Sequence, residues 1–270
     1  MDGTQLINSL FFRPERGFFI TPDQLGLAYV DMVFRARDGT GLHGRFVPSG
    51  TSDRSSRDAV TILFMHGVAG NISHRVENAA ALRANLEANV FLFDYRGYGR
   101  SGGEPTEEGT YMDAEAAFET VCRRQEVDPE RIILFGHSLG GAVAIELAVR
   151  LGRRVHGLIV ESSFASGREV TRFLVPVMPP RMLGNAIPDL YNSQAKVGRV
   201  EAPLLITHGE EDSLLPLAMG EALYQAAREP KFFFPVPGAA HHDVYQAGGP
   251  AYYEQLASFV DYCDSHTLER

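Results

Sequence analysis

A serine with glycine two residues before it and two residues after it occurs twice in the chain. The two copies are Gly99-Arg100-Ser101-Gly102-Gly103 and Gly136-His137-Ser138-Leu139-Gly140. A serine hydroxyl is a weak nucleophile at neutral pH, so the pattern matters only where a sharp turn presents the hydroxyl and a base can reach it. Context separates the two copies. Ser138 follows the apolar run 131–135 and precedes Ala142-Val143-Ala144-Ile145-Glu146-Leu147-Ala148, a helix-forming sequence. Glycines at that spacing let a strand and a helix approach where a Cβ would collide. Ser101 lacks a preceding strand and runs into the loop sequence Gly102-Gly103-Glu104-Pro105. Ser138 is therefore the candidate nucleophile, for acyl transfer.

Such a serine needs a base and a group that orients the base, and on this kind of turn the acid precedes the histidine in the chain. After the apolar run 204–207 comes His208-Gly209-Glu210-Glu211-Asp212-Ser213-Leu214-Leu215-Pro216. Asp212 is the expected acid, and Glu210 and Glu211 read as solvated loop charges. Glu161, directly after the run 157–160, is a rival because an acid at that strand end can also reach the base. The base lies in Gly238-Ala239-Ala240-His241-His242-Asp243, where chemistry alone leaves both histidines open. The oxyanion of an acyl-transfer intermediate needs N–H donors. Leu139, at the start of a helix, supplies one, and Val68 in His66-Gly67-Val68-Ala69-Gly70-Asn71 supplies the second.

The remaining chemistry-bearing residues read as structural. His137 points the wrong way to act on its neighbour. His66 and His208 end strands and are expected to pin loops, while His43, His74, His156 and His266 are ordinary core or surface residues. Asp94 and Arg96 are expected to hold the loop after the run 90–93. The two cysteines, Cys122 and Cys263, provide neither a disulfide framework nor a metal-ligand cluster, and both fall in expected helices. No metal and no organic cofactor is expected.

Those residues need elements to position them. Continuous apolar runs at 60–65, 90–93, 131–135, 157–160, 204–207 and 231–234 predict strands covered on both faces. Helical patterns lie between them at about 73–88, 110–126, 139–151, 217–228 and 250–264. Upstream, 29–35 and 42–47 flank Asp38-Gly39-Thr40-Gly41, a hairpin turn. The alternation predicts an α/β fold: a mostly parallel, doubly wound sheet with an N-terminal antiparallel hairpin. In such sheets ligands bind beyond the carboxyl ends of the strands. Between about 165 and 199, Pro176, Pro179, Pro180 and Pro188 forbid one long helix. The segment is nonetheless apolar, which predicts a small inserted cap over the strand ends.

The length of 270 residues suits a single domain, 1–270, with that cap within it. The 25 basic and 34 acidic residues leave a net charge of −9, the wrong sign for a nucleic-acid partner. No apolar run reaches the roughly 18 residues of a membrane span, and no secretory leader is legible at the N-terminus, so a cytoplasmic location is expected. Phe11-Phe12 and Phe18-Phe19 are expected to pack back on the domain, with weak contact to a membrane surface as the alternative.

Taken together, His66-Gly67…Gly70-Asn71, Asp94-Tyr95-Arg96-Gly97-Tyr98-Gly99, Gly136-His137-Ser138-Leu139-Gly140-Gly141, His208-Gly209…Asp212…Pro216 and Gly238…His241-His242-Asp243 resemble the α/β-hydrolase superfamily. More narrowly, they resemble the abhydrolase-domain branch that includes protein depalmitoylases, lysophospholipid or monoacylglycerol lipases and many bacterial members. The resemblance runs over nearly the whole chain. It implies an α/β-hydrolase fold and a serine hydrolase acting on a small-molecule or acylated substrate, an ester or thioester. That branch has Gly-His-Asn-Asp where this chain has Ala240-His241-His242-Asp243, and the first histidine is its base, which assigns His241. A residue other than valine is usual at position 68, but only the backbone is needed there. Relatives often carry an N-terminal membrane anchor, and none is expected here. Two other readings compete: an aminopeptidase-like hydrolase, for which Glu169 and Asp189 are the cap carboxylates that could anchor an amine, and a non-catalytic binding protein.

Overall fold

The computed structural model describes residues 11–50, 56–174 and 189–266. Its strands, in chain order, are β1 (Arg13–Pro14), β2 (Val30–Arg35), β3 (Gly41–Val47), β4 (Thr61–Met65), β5 (Ala69–Gly70), β6 (Asn89–Asp94), β7 (Ile132–His137), β8 (Gly157–Glu161), β9 (Leu204–Gly209) and β10 (Lys231–Val236). Eight of them form one sheet in the order β10-β9-β8-β7-β4-β6-β3-β2. The strands from β10 to β6 pair in parallel, whereas β3 is antiparallel to both β6 and β2. This is the expected doubly wound sheet with a hairpin at one edge. The two-residue strands β1 and β5 pair in parallel apart from it, a feature too short to leave any periodicity in the sequence.

The helices are α1 (Val76–Leu86), α2 (Glu107–Cys122), α3 (Leu139–Leu151), α4 (Gly167–Leu174), α5 (Gln194–Val197), α6 (Leu217–Ala226), α7 (Val244–Ala247) and α8 (Gly249–His266). Alternate strand residues feed two separate cores. Leu63, Met65, Leu134, Leu158 and Ile206 pack with α2, α3 and α6 on one face. Ile62, Phe64, Ile133, Ile159 and Leu205 pack with α1 and α8 on the other. Both faces are therefore dry, which is why these strands read as continuous apolar runs. Each fully buried aliphatic side chain contributes roughly 1.5–3 kcal/mol relative to exposure.

Two helix starts differ from the sequence reading. The helix α2 begins three residues earlier than its apolar pattern. Thr106 caps it by accepting from the Gly109 N–H at 3.0 Å, and Glu107 and Glu108 occupy a first turn that favours negative charge. The expected 73–88 helix splits into a 3₁₀ turn, Ile72–Arg75, followed by α1, because Asn71 caps the turn and ties it to the preceding loop.

The segment expected to form a cap starts as α4, and residues 175–188 lie outside the described residues. The chain returns at Tyr191, which is fully buried. Its hydroxyl bonds Thr110 Oγ1 at 2.8 Å, and its N–H donates to Glu107 Oε1 at 2.8 Å. Phe11 stacks on the Tyr191 ring at 5.7 Å, and Phe12 and Phe164 meet it edge-on. Phe18 packs against His43 and under Arg45 and Arg100. Phe11, Phe12 and Phe18 thus pack back on the domain, while Phe19 stacks on His74 and stays 73% exposed. Among the described residues no helix is long and apolar enough to cross a membrane.

Candidate active site

Ser138 stands between β7 and α3 with φ 56° and ψ −118°, a conformation that costs a non-glycine residue energy. The surroundings hold it there. Its N–H donates to Glu161 O at 2.9 Å, and its own carbonyl accepts from Ser163 Oγ at 2.8 Å. The flanking glycines are required by contact. A Cβ on Gly140 would lie 2.0 Å from Met65 O, and one on Gly136 would lie 2.2 Å from Gly140 O. The strained serine is thus clamped between β4 and the first turn of α3.

The candidate acid and base come from the loops after β9 and β10. Asp212 Oδ2 lies 2.7 Å from His241 Nδ1, and His241 Nε2 lies 3.1 Å from Ser138 Oγ. Residues separated by up to 103 positions therefore form one hydrogen-bonded line. The close approach of the two loops depends on Gly209, where a Cβ would sit 2.4 Å from Ala239 O. Asp212 Oδ1 also accepts from the N–H groups of Leu214 and Leu215 at 2.9 and 2.8 Å. Burial pushes the Asp212 carboxyl upward. The hydrogen bonds from His208, His241 and the Leu215 N–H outweigh that and hold it well below the ordinary range, so it is ionised at neutral pH.

The rival acid lies elsewhere. Glu161 is buried at the end of β8, and its Oε2 accepts from Tyr252 Oη at 2.6 Å. Burial raises its carboxyl to about 7 despite that bond and the nearby Arg75 and His208. Glu210 and Glu211 are exposed.

Val68 and Leu139 both line the cavity beside Ser138. Neither N–H has a protein acceptor among the described residues. The Val68 carbonyl is anchored on the opposite side by Tyr98 Oη at 2.7 Å and the Arg13 N–H at 3.2 Å. Gly67 brings that loop close, since a Cβ there would lie 3.4 Å from Ser138 Cβ.

The other histidines and the loop residues hold the frame. His66 Nδ1 donates to Gly67 O at 2.7 Å, and His208 Nε2 donates to Leu215 O at 2.7 Å. His137 Nε2 donates to His241 O at 3.0 Å, which holds the backbone of the candidate base. His43 is buried between Asp31 and Asp94. Asp94 accepts from the Ile72 N–H at 2.9 Å, and Arg96 forks onto Asp113 while also reaching Asp38. Cys122 is no activated thiol, because burial pushes it up to about 11.

A cavity of about 300 Å³ opens over Ser138. Phe11, Phe164, Val170, Leu214 and Leu215 make its apolar wall, and Arg13 and Arg75 are its cationic members. No local pattern marks Phe11, Arg13 or Arg75 for this role. The pairing of β1 with β5 carries the first two to the site, and the 3₁₀ turn carries the third.

A serine on a strained strand-to-helix turn, at the carboxyl edge of a doubly wound parallel sheet, places the protein in the α/β-hydrolase class. Residues 60–195 match the family model for the alpha/beta hydrolase fold, and the chain belongs to that family. It is 34% identical over 255 residues to the uncharacterized protein YfhR of Escherichia coli K12, covering 93% of this chain and 86% of that one. It is 32% identical over 259 residues to the alpha/beta hydrolase domain-containing protein WAV2 of Arabidopsis thaliana, covering 91% and 83%. Among solved structures, the esterase Pf2001 of Pyrococcus furiosus superposes with a TM-score of 0.73 at 19% identity, over 93% of this chain and 99% of that one. That likeness is one of fold.

Proposed function

We propose that the protein is a serine hydrolase cleaving carboxylic esters or thioesters through an acyl-enzyme, and that the whole chain is one domain with a small cap at about 165–199. The observation that carries the reading is the unbroken line Asp212 Oδ2, His241 Nδ1, His241 Nε2, Ser138 Oγ at 2.7 and 3.1 Å beside an apolar cavity. Ser138 Oγ attacks the acyl carbon while His241 Nε2 takes its proton. The N–H groups of Val68 and Leu139 receive the oxyanion, each worth about 3–4 kcal/mol of barrier. The intermediate then collapses, and His241 returns the proton to the departing alcohol or thiol. Water, activated by the same imidazole, releases the acid. Asp212 remains ionised throughout and stabilises the imidazolium.

The substrate is a small acylated molecule with an apolar acyl group, matched to the wall of Phe11, Phe164 and Leu214. An aminopeptidase-like activity would need a carboxylate for the substrate amine. The charged lining residues are instead Arg13 and Arg75, and Asp189 is occupied by the Arg168 N–H and by Asn192.

The test is hydrolysis of a p-nitrophenyl ester series from acetyl to palmitoyl. Turnover by the native chain and none by Ser138→Ala supports the reading, and the best chain length measures the cavity. Equal rates in the two proteins contradict it.

A further inference from the structure

We propose that Arg75 is the binding group for an anion carried by the substrate, an ionised carboxylate or phosphate on the half that departs as alcohol or thiol. The assignment to the departing half rests on the serine-hydrolase reading, whereas the anion site itself does not.

In a chain of net charge −9, the cavity over Ser138 is lined by two arginines and by no carboxylate. Arg75 arrives there on the turn Ile72–Arg75 that Asn71 caps. A Cβ on Gly67 would lie 3.8 Å from Arg75 Nη2, 3.4 Å from Ser138 Cβ and 3.3 Å from His137 Nδ1. The guanidinium and the nucleophile therefore flank one point of the loop that carries Val68. Arg13 lines the same cavity but is exposed.

Nothing in the described protein uses the Arg75 guanidinium. Among the described residues it makes no ion pair and no hydrogen bond, and its Nε is a buried atom without a partner. Arg45, Arg96, Arg131 and Arg150, by contrast, each hold a carboxylate, at 3.0, 2.8, 2.6 and 2.7 Å. Burial lowers the pKa of Arg75, and the fields of Glu161 and Tyr245 offset this only in part. Glu161 stands beyond ion-pair distance, and its Oε2 accepts from Tyr252. A guanidinium stays protonated at neutral pH all the same. The result is a partly desolvated positive charge without a counter-ion, which is costly until an anion joins it. Its paired N–H donors match the oxygens of a carboxylate or a phosphate.

The apolar wall takes the acyl group in the reading above, which leaves the anion to the departing half. The field of Arg75 falls on that side of the site. Burial and then Arg75 lower the imidazole of His137, and burial, His241 and Arg75 lower that of His242. Those two rings stand 5.2 and 4.7 Å from the ring of His241, the proposed proton donor to the leaving group.

The experiment measures kcat/KM for esters of one apolar acid with para-hydroxybenzoate, with para-hydroxyphenyl phosphate and with the neutral methyl para-hydroxybenzoate. Native chain, Arg75→Met and Arg75→Lys are compared, so that intrinsic ester reactivity cancels between proteins. The anionic-to-neutral ratio should fall about tenfold or more in Arg75→Met for at least one anionic ester, and less in Arg75→Lys, which keeps the charge. The ester that shows the fall identifies the anion. Ratios equal in native chain and Arg75→Met overturn the proposal, because a merely structural arginine would slow all three esters alike. Inorganic phosphate titrated by calorimetry reads the site without turnover. Saturable binding to the native chain is expected, weakened about tenfold or more in Arg75→Met, and no binding or equal affinity overturns the anion site. If no ester is cleaved and fluorophosphonate fails to label Ser138, the hydrolase reading fails, while the phosphate titration still decides whether Arg75 holds an anion.

Discussion

Ser101 and Ser138 share a five-residue pattern, and both are buried, yet their hydroxyls are used in opposite ways. Ser101 Oγ donates to Asp94 O at 2.7 Å and accepts from the His43 N–H at 3.0 Å, closing the loop after β6 onto β3. Ser138 Oγ faces an imidazole across 3.1 Å beside a cavity. Backbone conformation separates them, since Ser138 is held at φ 56° by glycines that admit no Cβ. Ser101 instead follows a loop that turns back on itself, with its N–H on Tyr98 O. The glycines serve a strained turn against a packed strand in one case and a loop in the other, and the motif alone does not distinguish them.

The comparison breaks most sharply at the level of turnover. Ser138→Ala should lower kcat/KM by about 10⁴-fold or more, whereas Ser101→Ala should stay within about threefold of the native rate. Ester kinetics on the two purified variants checks this, and comparable losses in both would erase the distinction. The acids form a parallel pair. Asp212→Asn should cost about 10⁴-fold in kcat with the fold retained, while Glu161→Gln should cost less than about tenfold, read by kinetics alongside circular dichroism.

Stability sharpens the contrast further. Gly140→Ala forces a Cβ onto the backbone of β4, and overpacking of that kind costs about 3 kcal/mol. Thermal melts should show a Tm lower by roughly 6 °C or more. Ser101→Ala should cost about 1–3 kcal/mol, because the Asp94 carbonyl and the His43 N–H lose a buried partner. Denaturant titration measures it, and an unchanged midpoint would mean that Ser101 has no structural role.

The smallest effect concerns pH. Burial holds the Glu161 carboxyl at about 7, above its ordinary 4.5. Between those values the folded protein keeps a proton that the unfolded chain has released, so this group makes stability fall as pH rises through the window. Glu161→Gln removes the group. Its Tm should decline less between pH 5 and 8 than that of the native chain, and parallel declines would contradict the assignment.

Much of this organisation is legible in the chain because it follows from burial. Runs such as Ile132 to Phe135 are apolar at every position, since alternate residues enter two cores, and that pattern predicts the sheet directly. The strand and helix around Ser138 single it out over Ser101 on the same basis. Chain chemistry left His241 and His242 open, because adjacent residues differ only in where a loop aims them. The resemblance favoured His241, and the 2.7 Å contact with Asp212 is its geometric counterpart. Least legible were the pairing of Arg13–Pro14 with Ala69–Gly70, too short to have a period, and the placement of Arg75 beside the cavity. Both arise from long-range packing that no local pattern encodes.

The most direct test of the central claim is fluorophosphonate labelling followed by peptide mass mapping on the native chain, Ser138→Ala and Ser101→Ala. One adduct per chain on the peptide carrying Ser138 is predicted, present in the native protein and in Ser101→Ala and absent from Ser138→Ala. An adduct at any other residue, or none on a folded native chain, would contradict the assignment of Ser138 as an activated nucleophile.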